Sequence, residues 1–189
     1  VTEKLVPIMA LLYIVGSLIV IGVNYQHIGQ AFVSIFVGAF RPEAVLGGAA
    51  GISVKMAVRY GVSRGLFSNE AGMGSTPHAH ALAKVDHPCD QGVVALMGVF
   101  LDTFVVLTLT ALTFLTTGAL SSGETGSKLA QVAFSSVFGH FGDIFVALCM
   151  FFFAFSTIVG WYFFGQTNIK YLFGAKAVKL YSAIVLIFI

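Results

Sequence analysis

The chain has 189 residues, 58% of them hydrophobic and 10% charged, whereas ordinary soluble domains carry about 25% charged residues. Ten basic and eight acidic side chains cannot cover a water-soluble domain of this size, so soluble enzyme folds are excluded and an all-α polytopic membrane protein is expected. A net charge of +2 with no run of Lys or Arg lacks the footprint of nucleic-acid binding, and Cys89 and Cys149 imply no disulfide framework.

Residues 5–23 carry no charge and are flanked by Glu3 and Lys4 before and Asn24, Gln26 and His27 after, which predicts a first span. Residues 28–40 are apolar and aromatic but short of the roughly 20 residues a crossing needs, so they are expected to lie along the membrane surface. A second span over 44–64 is expected to be broken near 47–51, where Gly47, Gly48 and Gly51 disfavour continuous helix. In the polar connector that follows, Ser75 or Thr76 before Pro77 reads as an N-cap, with a short helix through Lys84. Residues 91–117 form a third predicted span with the single charge Asp102, and 129–141 repeat the short apolar pattern of a surface segment. A fourth span, 144–165, is uncharged, and 180–189 would open a fifth. The first residue is Val1 and the last apolar stretch is short, so the chain reads as one transmembrane fragment of a longer protein, cut inside its final helix. Lys4, Arg59, Arg64, Lys84, Lys170, Lys176 and Lys179 collect at one end of the spans, against Arg41 and Lys128 at the other, which puts the first group in the cytoplasm.

Few polar residues interrupt the spans. Gly47, Gly48 and Gly51 either allow close helix packing or mark an unwound stretch whose backbone groups bind a polar solute or ion inside a protein-enclosed cavity. Thr157 and Trp161 share one helical face with Gly160 leaving room beside them, which would line a small pocket. Alternatively, Ser156 and Thr157 bond back to the preceding turn and Trp161 is an interfacial residue. Asp102, well inside a span, is expected on an ion pathway, in a proton relay or beside a buried partner. Lys55, one turn from Arg59, can snorkel to the interface. His78, His80, His87 and Cys89 show no standard zinc spacing, and Arg64 and Glu70 either pair as a gate at the cytoplasmic mouth or are solvated.

The run Gly65-Leu-Phe-Ser-Asn-Glu-Ala-Gly-Met-Gly-Ser75, followed by Pro77, Ala79-His80-Ala81 and Asp86-His87-Pro88, resembles the signature loop of the sodium:alanine (alanine or glycine:cation) symporter family. Glu3-Lys-Leu-Val-Pro7, Gly47-Gly-Ala-Ala-Gly51, Phe100-Leu-Asp-Thr103 and Ala154-Phe-Ser-Thr-Ile-Val-Gly-Trp161 resemble further motifs of that family in order. The family belongs to the amino acid, polyamine and organocation superfamily. Its fold, two five-helix repeats of inverted topology with a discontinuous helix, would make the five spans here the fifth to ninth membrane helices.

The resemblance implies that Gly47, Gly48 and Gly51 form the unwound, substrate-facing part of the sixth helix, with Thr157 and Trp161 contacting substrate from the eighth. Ser156, Thr157 and the carbonyl of Phe153 would be the eighth-helix half of a sodium site, the other half coming from the first membrane helix elsewhere in the whole chain. Lys55, Thr76 and Tyr162-Phe-Phe-Gly-Gln166 depart from the family's usual residues. The implied activity is sodium-coupled symport of alanine or glycine across a bacterial inner membrane, with no covalent chemistry and no cofactor besides the coupling ion. Proton coupling through Asp102, or a non-transporting sensor on the same scaffold, are the alternatives. A channel is disfavoured because the spans carry only isolated polar residues.

Overall fold

The computed structural model describes residues 2–40, 50–70 and 72–188, and no strand occurs among the described residues. Helix α1 runs Thr2–Val23, a 3₁₀ turn follows at Tyr25–His27, and α2 spans Ile28–Phe40. Helix α3 is Ala50–Asn69, and the short α4 is Thr76–His80. Helix α5, Pro88–Phe100, continues through a π-helical segment, Leu101–Leu107, into α6, Thr108–Thr116. A 3₁₀ turn at Ala119–Ser122 leads to α7, Ser127–Phe138, and then to the longest element, α8, His140–Phe173, and to α9, Ala175–Phe188.

Three stretches are long and apolar enough to cross a bilayer: Lys4–Val23, Pro88–Thr116 and His140–Phe173. Several of their threonine hydroxyls bond back to the preceding turn, as a span without water favours, while Ser17 Oγ and Thr103 Oγ1 are buried without a partner among the described residues. Thr113 donates to the Leu109 carbonyl at 2.8 Å and Thr116 to that of Leu112 at 2.7 Å. Between spans, the Tyr13 hydroxyl meets Thr110 Oγ1 at 2.8 Å and ties α1 to α6.

The two short apolar helices, expected to lie along the membrane surface, each pack one face against the spans. Phe134 of α7 is completely buried, in a cluster with Val20 of α1 and Val146 of α8, and Ala31 of α2 packs with Ile21 and Leu112. An apolar stripe of this length suits a protein neighbour as well as lipid, and here α1, α6 and α8 cover it. Helix α7 turns back onto α8 at Gly139, whose φ of 57° favours glycine. Three residues later, Gly142 lies directly against the backbone of Phe134 and Ser135. Ser135 Oγ then donates to Asp143 Oδ1 at 2.7 Å and closes the corner.

The connector also differs in detail. Ser75 precedes α4 but takes helical angles and makes no capping hydrogen bond, because its hydroxyl is engaged by Glu70. Helix α4 ends at His80, short of Lys84. The side-chain cap in this region belongs to His87, whose Nδ1 accepts from the Cys89 N–H at 3.2 Å ahead of Pro88 in the first turn of α5. Helix α3 begins at Ala50, so Gly51 sits in its first turn. The expected break rests chiefly on Gly47 and Gly48, which lie outside the described residues.

Candidate functional site

The middle of α8 turns two hydroxyls toward one carbonyl. Ser156 Oγ donates to the Phe153 carbonyl at 3.0 Å and Thr157 Oγ1 donates to the same oxygen at 2.8 Å. Each hydroxyl hydrogen is thereby committed, which leaves the oxygen lone pairs free to accept. Of the alternatives read from the sequence, the structure shows both hydroxyls bonded back to the preceding turn.

Ser156 and Thr157 line a cavity of about 230 Å³ together with Gly160, Trp161 and Phe164 of α8, Val6 of α1 and Glu70. One helical turn separates Thr157 from Trp161, so the hydroxyl and the indole share the wall, and Gly160 keeps the space between them open. The Trp161 ring stacks on Phe67 of α3 with centroids 5.9 Å apart and planes 5° from parallel, and meets Phe164 edge-on at 5.8 Å. Two aromatic neighbours of different orientation fix the indole plane.

Glu70, the residue after α3, has a positive φ of 56°, rare for a residue with a side chain. Its carboxylate accepts from Ser75 Oγ at 2.6 Å and from Thr76 Oγ1 at 3.4 Å, and its carbonyl accepts from the Met73 N–H at 3.2 Å. The family departure Thr76 therefore supplies a hydroxyl to this carboxylate. Of the two readings of Arg64 and Glu70, gate pair or solvated, no ion pair between them occurs among the described residues, and the Arg64 guanidinium lies 5.7 Å from the centre of the Tyr60 ring.

Glu70 also lines a second cavity of about 390 Å³, which holds Asp102, Ser68 and His80. Asp102 lies in the π-helical segment and accepts from Ser68 Oγ at 2.7 Å, across from α3. Insertion of such a segment re-aims side chains within an otherwise regular helix and recurs at functional sites. A third cavity, about 610 Å³, lies on another side of Trp161 and is bounded by His78, Asn168, Tyr162 and Tyr181.

The structure thus brings Ser156, Thr157 and Trp161 together with Glu70, sets Asp102 in an adjoining cavity, and leaves Arg64 apart. Gly47 and Gly48 lie outside the described residues, as does the Lys55 side chain. Among the described residues no group of three or more His, Cys, Asp or Glu could hold a metal ion. His78, His80 and His87 each hold a separate hydrogen bond to Asn168, Gln91 and the Cys89 N–H. Sequence reasoning missed Val6, Phe67 and Ser68, whose types are unremarkable for helices and whose roles come only from what they face.

A family model, described as the sodium:alanine symporter family, matches residues 1–189. An uncharacterized transporter of Haemophilus influenzae is 41% identical over 182 residues, covering 95% of this chain and 40% of that protein. The sodium/alanine symporter AgcS of Methanococcus maripaludis is 40% identical over 184 residues, covering 95% of this chain and 40% of its own length. A sodium/proton-dependent alanine carrier protein of Bacillus sp. (strain PS3) is 38% identical over 185 residues, covering 90% and 41%. The chain therefore spans about 40% of the length of these curated relatives.

Proposed function

The chain belongs to the sodium:alanine symporter family, whose members are membrane transporters and not enzymes, and from that membership we propose that the whole protein couples inward sodium movement to uptake of alanine or glycine by alternating access. It acts as a multi-pass protein of a bacterial inner membrane, on a scaffold of two inverted five-helix repeats in which Gly47, Gly48 and Gly51 belong to the stretch that opens the sixth helix. Those glycines, Thr157 and Trp161 contact the amino acid. Phe153, Ser156 and Thr157 supply half of the sodium site, and the remaining ligands come from the first membrane helix of the whole protein.

The observation that carries this reading is the pair of hydroxyls on the Phe153 carbonyl, opening on the same 230 Å³ cavity as Trp161. Hard cations take oxygen ligands in preference to nitrogen or sulfur, and Ser156, Thr157 and Glu70 offer only side-chain oxygens there. The test is labelled alanine uptake by the full-length protein in proteoliposomes, under an inward sodium gradient and separately under a proton gradient of equal size. Uptake driven by sodium alone supports the reading, and uptake with neither gradient sinks it.

Trp161 sets the size limit of the cavity. Replacing it by alanine should let amino acids larger than alanine compete for uptake, raising their relative rate by about tenfold, since a few methylenes of added fit are worth about 1–3 kcal/mol. Unchanged selectivity in competition assays would remove Trp161 from the substrate pocket.

A second reading, proton coupling through Asp102, is favoured by one observation: the carboxylate stands in a π-helical segment and faces the same region as Glu70. Asp102→Asn keeps the shape and removes the charge. Under the sodium reading the variant should retain uptake within about fivefold at saturating sodium, because asparagine keeps an oxygen that can accept from Ser68 Oγ and the difference between a charged and a neutral hydrogen bond is about 1 kcal/mol. Loss of all gradient-driven uptake in a well-folded variant would move the coupling site to Asp102.

A further inference from the structure

Residues 144–189 contain no acidic residue, and their only charged side chains are Lys170, Lys176 and Lys179. These lysines gather at one end of the hairpin that α8 and α9 form around Gly174, whose φ of 80° turns the chain. The inner face of the hairpin fixes its register. The Tyr162 and Tyr181 rings stack with centroids 5.7 Å apart, the Tyr162 hydroxyl meets Ser182 Oγ at 2.7 Å, and Gly165 leaves room for the Tyr181 hydroxyl. With Tyr181 and Ser182 turned to α8, the helical repeat carries Lys176, Lys179, Ala183, Leu186 and Ile187 to the side of α9 that faces away. Each of the five is exposed, Leu186 and Ile187 at 79%, and none of the three lysines forms an ion pair among the described residues.

We propose that this outer face of α9 binds an anionic phospholipid, its phosphate held by Lys176 and Lys179 with Lys170 adding charge across the turn, and one acyl chain lying along Ala183, Leu186 and Ile187. The depth of the lysines fits that ligand. Residues 144–169 carry no charge and extend about 39 Å at the α-helical rise. A bilayer is about 40–45 Å thick with its headgroups included, so Asp143 and Lys170 fall at opposite headgroup layers. Helix α9 starts at the lysine end and runs back beside α8, which takes its aliphatic residues from the headgroups into the acyl layer. Leu186 lies about 10 Å along the helix from Lys179, well within the reach of an acyl chain. Tyr171, 88% exposed at the turn, is the kind of amphipathic ring that settles at headgroup level. The two halves of the face thus match the two halves of one molecule. An acidic peptide or a nucleic acid would engage the lysines and leave Leu186 and Ile187 bare, and a neutral lipid would do the reverse.

The site is independent of which solute crosses the membrane, and its test reads binding, not uptake. The full-length protein, purified in detergent, would be titrated by native mass spectrometry with phosphatidylglycerol, with phosphatidylcholine of the same chains, and with inorganic phosphate. The expected result is tighter binding of phosphatidylglycerol than of either of the others. Lys176→Gln combined with Lys179→Gln should weaken the first phosphatidylglycerol by about 25-fold, at about 1 kcal/mol for each Lys near the headgroups and a factor of ten for each 1.4 kcal/mol. Phosphatidylcholine binding should be unchanged in that variant. Lys176→Arg combined with Lys179→Arg should bind like the parent, and Lys128→Gln, an equal loss of charge on α7 at the other end of the spans, should have no effect. Leu186→Asn should weaken both lipids alike, because the chain contact serves either. Equal affinity for the two lipids in the unsubstituted protein, or a preference that survives the double glutamine variant, would overturn the assignment. Inorganic phosphate binding as tightly as phosphatidylglycerol would overturn it too, by reducing the face to a simple anion site.

Discussion

Replacing Thr157 by valine should raise the sodium concentration for half-maximal alanine uptake by about tenfold or more. The substitution keeps the branched shape and removes one oxygen from the wall of the 230 Å³ cavity. A hydrogen bond or ligand contact to a charged group contributes about 1.5–3 kcal/mol, and each 1.4 kcal/mol is a factor of ten. The helix itself loses little, because the Phe153 carbonyl keeps the Ser156 hydroxyl at 3.0 Å. Ser156→Ala should act in the same direction, and the two together should remove most of the sodium dependence. The measurement is a sodium titration of initial uptake rates with normal folding checked by size-exclusion chromatography. A sodium dependence unaltered in Thr157→Val would take the residue out of the ion site.

Gly142→Ala should destabilise the protein more than any substitution at the cavity. A Cβ there would stand 2.6 Å from the Ser135 nitrogen and 2.8 Å from the Phe134 carbonyl oxygen, both backbone atoms that no rotamer change can move. Overpacking of this kind costs about 1–3 kcal/mol or more, and the strain falls where α7 folds back on α8 beside the completely buried Phe134. Gly160→Ala is the matching control. Its Cβ would meet no atom within 4 Å, so stability should be unchanged even though the cavity narrows. Thermal unfolding of the two detergent-purified variants distinguishes them, and equal midpoints would mean that the α7–α8 corner yields more easily than its geometry implies.

Long apolar stretches announce themselves by hydropathy, which is why the helices containing residues 5–23, 91–117 and 144–165 were legible. The environment of the shorter ones was not. In a soluble protein an apolar face must meet the core, but in a bilayer lipid serves equally, so nothing in residues 129–141 said that Phe134 would be enclosed by protein. The π-helical segment was equally silent, because Leu101–Leu107 has the composition of ordinary span. Thr157 and Trp161 could be paired from one-turn spacing alone. Phe67, from a different helix, could not, since side-chain partners distant in sequence depend on tertiary placement. Ser75 shows a local rule overridden by a stronger partner: a serine before proline suggests a cap, yet the Glu70 carboxylate offers a charge-assisted bond.

The length of α8 has a mechanical consequence. Its 34 residues extend about 50 Å, against a hydrocarbon layer of about 30 Å, and no proline interrupts them. Thr157 and Asn168 are separated by about 16 Å along this one rod. A tilt of about 10° pivoting near Thr157 would swing Asn168 sideways by about 3 Å at that helical rise, a displacement comparable to the whole His78 contact length of 3.0 Å. Helix α8 is in that sense a lever: a small angular change at the cavity becomes, at its far end, the difference between an engaged and a parted connector.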